Sequence, residues 1–215
     1  MYYIMKCSIE SKIIGTTFPQ IHTMNAGYNY VSEFSVSKLS RCYDRLPAFI
    51  PDLDSFILSS KALLTDILST SLINRGLIVS NRVKEILEKC LLPEHAFFPI
   101  GLYYKNERIE NYFWFHLISD FVDNIDFEKS TFYLKDYNID EAITINSEVE
   151  LRKIMKTKSI TANIKSDNVV LKNKINFDLF KIGTFDINIY ISDKLKNVFN
   201  EQQITGIQIL PSQLY

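Results

Sequence analysis

Four carboxylates stand close enough together in this chain to do chemistry as a group. Asp120, Asp123, Asp126 and Glu128 fall within the run D-F-V-D-N-I-D-F-E. Magnesium and calcium ions prefer hard oxygen ligands, and acids spaced by threes could gather around one. The run lacks the glycine and the register of a calcium loop, and no HxH or HExxH element accompanies it. Two other readings stand beside a metal site: an acidic patch that binds a partner, and a solvated turn, the ordinary fate of such a run. Phe121, Val122, Ile125 and Phe127 lie between the acids, as in a short amphipathic segment that holds them outward. Just before them, Y-F-W-F-H-L reads as a strand with Phe113, Phe115 and Leu117 on one face and Tyr112, Trp114 and His116 on the other. The first set is core by preference. Exposed, Tyr112 and Trp114 beside the acids would make a hot spot for a partner; buried, they would pack against a helix.

The remaining reactive side chains read as structural. His22, His95 and His116 are far apart in sequence, and His116, inside F-W-F-H-L, fits a satisfied sheet histidine better than a base. Cys7, Cys42 and Cys90 are odd in number and widely spaced, which suits reduced thiols rather than a disulfide framework or a CxxC metal site. Cys42 and Cys90 fit packing roles better than nucleophilic ones. There is no P-loop, GxSxG or dinucleotide fingerprint, so no cofactor is expected.

Composition bounds the partners. With 24 Lys plus Arg against 25 Asp plus Glu, the net charge of −1 offers no global attraction to nucleic acid or an anionic membrane. The N-terminal M-Y-Y-I-M-K-C-S-I-E lacks the pattern of a secretory signal, and the longest apolar runs fall short of a membrane span, so a cytoplasmic location is expected. The 215 residues, 47% hydrophobic, can bury one core over 1–215 or form two packed lobes with a join near 92–96.

The elements that must hold these groups are clearest from Asn188 to Pro211, a strand, helix, strand unit. Ile187, Ile189 and Ile191 alternate with polar neighbours as in a half-buried strand. Ser192 caps a helix with Asp193 in its first turn, Leu195, Val198 and Phe199 form the buried stripe, and Gly206 returns the chain to the strand Ile207, Ile209, Pro211. The pattern around Ser80, with Val83, Ile86, Leu87 and Cys90, repeats it 112 residues earlier. Either the unit is duplicated, or any capped amphipathic helix looks this way.

Elsewhere, Tyr2 to Ile14 reads as a strand broken near Ser8 and Glu10, His22 to Ser40 as polar surface, and Leu46 to Pro51 as an apolar loop tucked under the domain. Leu53 to Leu72 has the apolar spacing of a buried helical face, although its start could be strand, and Asn74-Arg75-Gly76 stops it. Residues 97–118 read as a hairpin turning at Lys105-Asn106-Glu107, and 127–134 and 139–145 as strands. Ser147 and Glu150 form a capping box for a helix through Leu151, Ile154 and Met155, and 159–174 reads as strand or exposed loop. Strands outnumber helices, which predicts an α+β fold, a largely antiparallel sheet packed with several amphipathic helices.

Taken in order, Ala62-Leu63-Leu64-Thr65-Asp66, Leu77-Ile78-Val79-Ser80, Phe97-Phe98-Pro99, Tyr112 through Asp126 with Ser130, and Ile191-Ser192-Asp193 with Ile204-Thr205-Gly206 resemble family eleven of the bacterial immunity proteins. These belong to polymorphic and contact-dependent or secretion-delivered toxin systems. The resemblance runs from about Pro51 to Pro211, leaves the first 45 residues unmatched, and places His116 where relatives tend to carry a polar residue such as Asn. It implies a cytoplasmic protein that binds and neutralises a cognate protein toxin, with no turnover, cofactor, nucleic acid or membrane. The implied contact set is Tyr112, Trp114, Asp120, Asp123, Asp126 and Glu128, an acidic surface suited to a toxin with a basic substrate groove. The alternatives are a metal-dependent hydrolase of unrecognised family using the same carboxylates, and a structural or adaptor domain. The oligomeric state is not legible.

Overall fold

A computed structural model describes residues 1–73, 76–137, 139–212 and 214, with the side chain of residue 139 set aside. Its elements begin with β1 (Tyr2–Cys7), α1 (Ser11–Ile14), β2 (Ile21–Met24), α2 (Val36–Leu39), β3 (Phe56–Leu58) and β4 (Ile67–Leu68). Next come β5 (Gly76–Ser80), α3 (Asn81–Leu87), β6 (His95–Pro99), β7 (Leu102–Tyr104), β8 (Glu107–Ile109) and β9 (Tyr112–Leu117). A 3-10 turn at Val122–Asn124 leads to β10 (Thr131–Asp136), β11 (Ile139–Ile143), α4 (Glu148–Thr157) and β12 (Asn163–Asn168). The chain closes with β13 (Leu179–Phe180), β14 (Ile189–Ser192), α5 (Asp193–Glu201) and β15 (Ile207–Pro211). The sheets are mostly antiparallel, with β3 and β7 a parallel pair, and the fold is α+β. Among the described residues, no helix is long and apolar enough to cross a membrane.

Two four-stranded sheets share one plan. Their orders are β4-β5-β9-β6 and β13-β14-β1-β15, and in each the strand entering a helix and the strand leaving it flank a third that runs antiparallel to both. Ser80 and Ser192 cap α3 and α5, accepting from Val83 N–H (3.4 Å) and Leu195 N–H (3.1 Å). Each serine hydroxyl also donates to the aspartate 14 residues before it, Asp66 at 3.1 Å and Asp178 at 2.8 Å. Ser80 faces Tyr112 across its sheet as Ser192 faces Tyr2, and both tyrosine hydroxyls donate to backbone carbonyls, Thr65 O and Ile175 O. A helix that merely resembled another would end the likeness at its own ends. Here the offset of 112 residues holds from Asp66 to Pro99, so the unit is repeated in structure.

The two units also fasten each other. Asp66 Oδ2 accepts from the N–H and the hydroxyl of Thr205, both at 2.9 Å, in the loop after α5. Asp178 Oδ2 accepts from Leu91 N–H at 3.0 Å, in the loop after α3. Each aspartate holds the other unit's loop, the reciprocity of a two-fold contact. Between them lies a core of Val83, Leu87, Leu195 and Phe199 from the helices with Val79, Phe115, Met5 and Ile191 from the sheets.

The outer sheet faces are covered too. Ile78, Tyr112 and Trp114 pack on Phe56, Leu58 and Leu102 of the sheet β2-β3-β7-β8, while Phe180 and Tyr190 pack on Phe132, Ile164 and Leu151 near the sheet β11-β10-β12 and α4. Strands buried on both faces lose alternation. Tyr190 is therefore buried along with Ile189 and Ile191, and Ile187, expected in the strand, lies outside it and is 90% exposed.

Other expectations need correction. Leu53 to Leu72 starts as strand, the alternative its sequence allowed, and forms β3 and then β4 where a helical face was expected. Phe56 and Leu58 are buried at strand spacing, and the Gln20 amide donates to Leu63 O (2.8 Å) while its carbonyl accepts from Ser69 N–H (3.0 Å). Such side-chain bonds compete with the helical ladder. Ser11–Ile14 is a helical turn, not strand. Pro51 is buried, but Ile50 is exposed rather than tucked under. Glu150 reaches Asn146 N–H (2.8 Å), so the capping box closes one residue early. Of the stop at 74–76, Asn74 and Arg75 lie outside the described residues, and Gly76 opens β5.

Candidate functional site

The acidic run leaves β9 and crosses to β10 on a loop pinned from inside. Val122, Ile125 and Phe127 are buried, Phe121 N–H donates to Ile182 O (2.6 Å), and Asp126 N–H donates to Val170 O (2.8 Å). The acids consequently face outward, but two of the four meet cations. Asp120 takes Val122 N–H (3.2 Å) and Arg152 Nη2 (3.0 Å), and Arg152 Nε also pairs with Glu148 (2.7 Å). Asp126 accepts from Lys129 Nζ at 2.8 Å, and that hydrogen bond holds its carboxyl below the ordinary range. The Asp123 carbonyl takes Lys172 Nζ (3.0 Å), while the carboxylates of Asp123 and Glu128 make no hydrogen bond or ion pair among the described residues. No three His, Cys, Asp or Glu among the described residues converge as a metal ion would require.

Tyr112 and Trp114, expected at a contact surface if exposed, are 8% and 0% exposed. The covering elements are strands and α2 rather than a lone helix. Trp114 Nε1–H donates to His116 Nδ1 (3.4 Å), and His116 Nε2 lies 2.7 Å from Cys42 O. Indole can only donate, so Nδ1 must accept and the proton sits on Nε2. The ring is neutral; burial holds its pKa below the usual 6.5. His116 is thus a satisfied sheet histidine that ties segment 41–45 to the sheet. The three thiols are free, and burial pushes Cys90 up to about 11 and raises Cys7 as well, which leaves both poor nucleophiles.

Several groups escaped the sequence reading. Asp66 and Asp178 were legible in principle as an aspartate 14 residues before each capping serine. Asp186, its carboxyl raised by burial, accepts from Tyr190 Oη (2.5 Å) and Asn188 N–H (2.9 Å) and closes the turn into β14. The stretch read as polar surface carries exposed Tyr30, Val31 and Phe34, the last in edge contact with Phe49 at 6.1 Å. A cleft of about 390 Å³ lies between α5 and β15 and is lined by Tyr3 from the far end of the chain, which no local pattern could reveal.

Comparison with known proteins gives one family. The sequence model of the immunity protein family Imm11 matches residues 43–212. No curated protein matches the chain. The matched range contains the acidic loop, both capped helices and both aspartate ties, and the chain belongs to the immunity protein family Imm11.

Proposed function

We propose that the chain protects its cell by binding a cognate protein toxin in the cytoplasm and holding it inactive, without turnover, as part of a polymorphic toxin system used in bacterial competition. Family membership over residues 43–212 carries this reading. The engagement of the groups best able to react supports it: both ring nitrogens of His116 are bonded, and Asp120 and Asp126 face Arg152 and Lys129. In this account Asp120 and Asp126 shape the acidic loop through their ion pairs, and Asp123 and Glu128 supply the outward charge that steers a basic toxin groove. Tyr112 and Trp114 play no part in the contact, being buried.

A stoichiometric titration tests binding against catalysis. Immunity genes normally sit directly downstream of their toxin gene, so increasing amounts of the chain are added to a fixed amount of the product of the gene directly upstream, and residual toxin activity is measured. The expected result is a linear fall that ends near one molar equivalent. Full protection at about one hundredth of an equivalent would mean turnover and contradict the proposal.

A further inference from the structure

The repeated unit differs from its copy beneath the lysine of its helix. In the first unit, Lys84 Nζ lies over the rings of Phe97 (5.6 Å) and Phe113 (5.3 Å), and Phe97 stacks on Phe115 with centroids 4.9 Å apart. An aromatic ring therefore fills the space between α3 and the edge strand β6. In the second unit, Lys196 takes the place of Lys84 and, among the described residues, lies over the one ring of Tyr3, at 3.8 Å. Register puts Ile209 opposite Met5, where Phe97 stands opposite Phe115. With no ring there, a cleft of about 390 Å³ remains between α5 and β15, lined by Tyr3, Lys196, Phe199, Asn200, Ile207 and Ile209. Lys84 is further held by Glu88 at 2.6 Å, four residues on, and Lys196 by Asp193 at 3.4 Å, three residues back, so the point equivalent to Glu88 is taken by the exposed Asn200. β15 also ends its sheet, with no strand on its outer side among the described residues, so that edge can pair with added backbone.

We propose that this cleft and edge receive an extended segment of the toxin that carries an aromatic side chain. The segment adds to β15 as a fifth strand, and its ring enters under Lys196 beside Tyr3, the position Phe97 holds under Lys84. Main-chain pairing supplies affinity, and the ring in its pocket supplies specificity. The lysine gains a second aromatic face, an attraction that strengthens as the site loses water. This inference rests on the immunity reading and names where the partner docks.

The test uses the full chain and the cell-free translated product of the gene directly upstream, with binding followed by surface plasmon resonance. Ile209→Phe rebuilds the filled arrangement of the first unit, and Asn200→Trp covers the rim from an exposed position. Glu88→Trp, at the equivalent point of the filled unit, is the control. The expected result is at least about a ten-fold loss of affinity for I209F and N200W and less than about two-fold for E88W. If I209F does not fold, N200W decides. Wild-type chain that fails to bind the upstream product overturns the immunity reading itself. Wild-type binding with N200W as tight as wild type overturns the cleft alone, as does a dimer of the chain through β15 that N200W abolishes.

Discussion

Replacing Asp178 with alanine tests whether the two units hold each other as the structure describes. The carboxylate is 12% exposed and accepts from Leu91 N–H (3.0 Å), Ser192 Oγ–H (2.8 Å) and Lys194 Nζ (3.3 Å). The first two bonds, part-buried and made to a charge, contribute about 1.5 kcal/mol each. Lys194 is 67% exposed and adds at most about 0.5 kcal/mol. Asp178→Ala should therefore destabilise the protein by about 3 kcal/mol. With a urea slope of about 2–3 kcal/mol per molar, the unfolding midpoint falls by about 1–1.5 M. Acid provides an independent check. Burial works to raise this carboxyl, but the Leu91 N–H, the Ser192 hydroxyl and Lys194 outweigh it and hold it below 3.8. A depressed carboxyl contributes stability that is present above its unfolded value and lost as pH falls through the folded one. The gap between wild type and variant should thus be full at pH 5 and shrink below about pH 3.8. A midpoint shift under about 0.3 M, or a gap that widens in acid, would refute the reasoning.

Three further outcomes follow from the same geometry. Gly206 has φ +86°, and an added Cβ would lie 2.0 Å from Ile67 O, so Gly206→Ala should cost at least about 3 kcal/mol and lower Tm by about 6–12 °C; a fall under about 2 °C contradicts this. The depressed His116 makes stability decline as pH drops below 6.5 toward its folded value, by up to about 1.4 kcal/mol per unit. Urea midpoints between pH 7.5 and 5.5 should show this slope in wild type and a flatter one in His116→Gln; parallel slopes would argue against a buried neutral ring. Asp123→Asn with Glu128→Gln breaks no side-chain bond, so stability should hold within about 0.5 kcal/mol while association with the toxin slows and loses its salt dependence, read by stopped flow.

What could be read in advance was local. Ser192, Leu195, Phe199 and Gly206 sit within one short stretch, and caps, stripes and left-handed glycines depend only on neighbours. The outward aim of the acids followed likewise from Val122, Ile125 and Phe127, all buried. Long-range contact decided the rest. Asp120 meets Arg152 from 32 residues away, and Gln20 ties down Ser69 across 49, overriding an apolar spacing that suggested a helix. The face of Trp114 was ambiguous because a strand buried on both sides looks the same from either. The repeat stayed half visible because the strand between β14 and β15 is β1, supplied by the N-terminus, whereas β9, the strand between β5 and β6, follows them in the chain.

The most direct test of the central claim is co-expression of this chain with the product of the gene directly upstream, scored for cell survival and for a complex that survives purification. The account predicts that cells live only when the chain is present and that the two proteins elute together. Cells that die despite abundant chain, with no complex recovered, would contradict it.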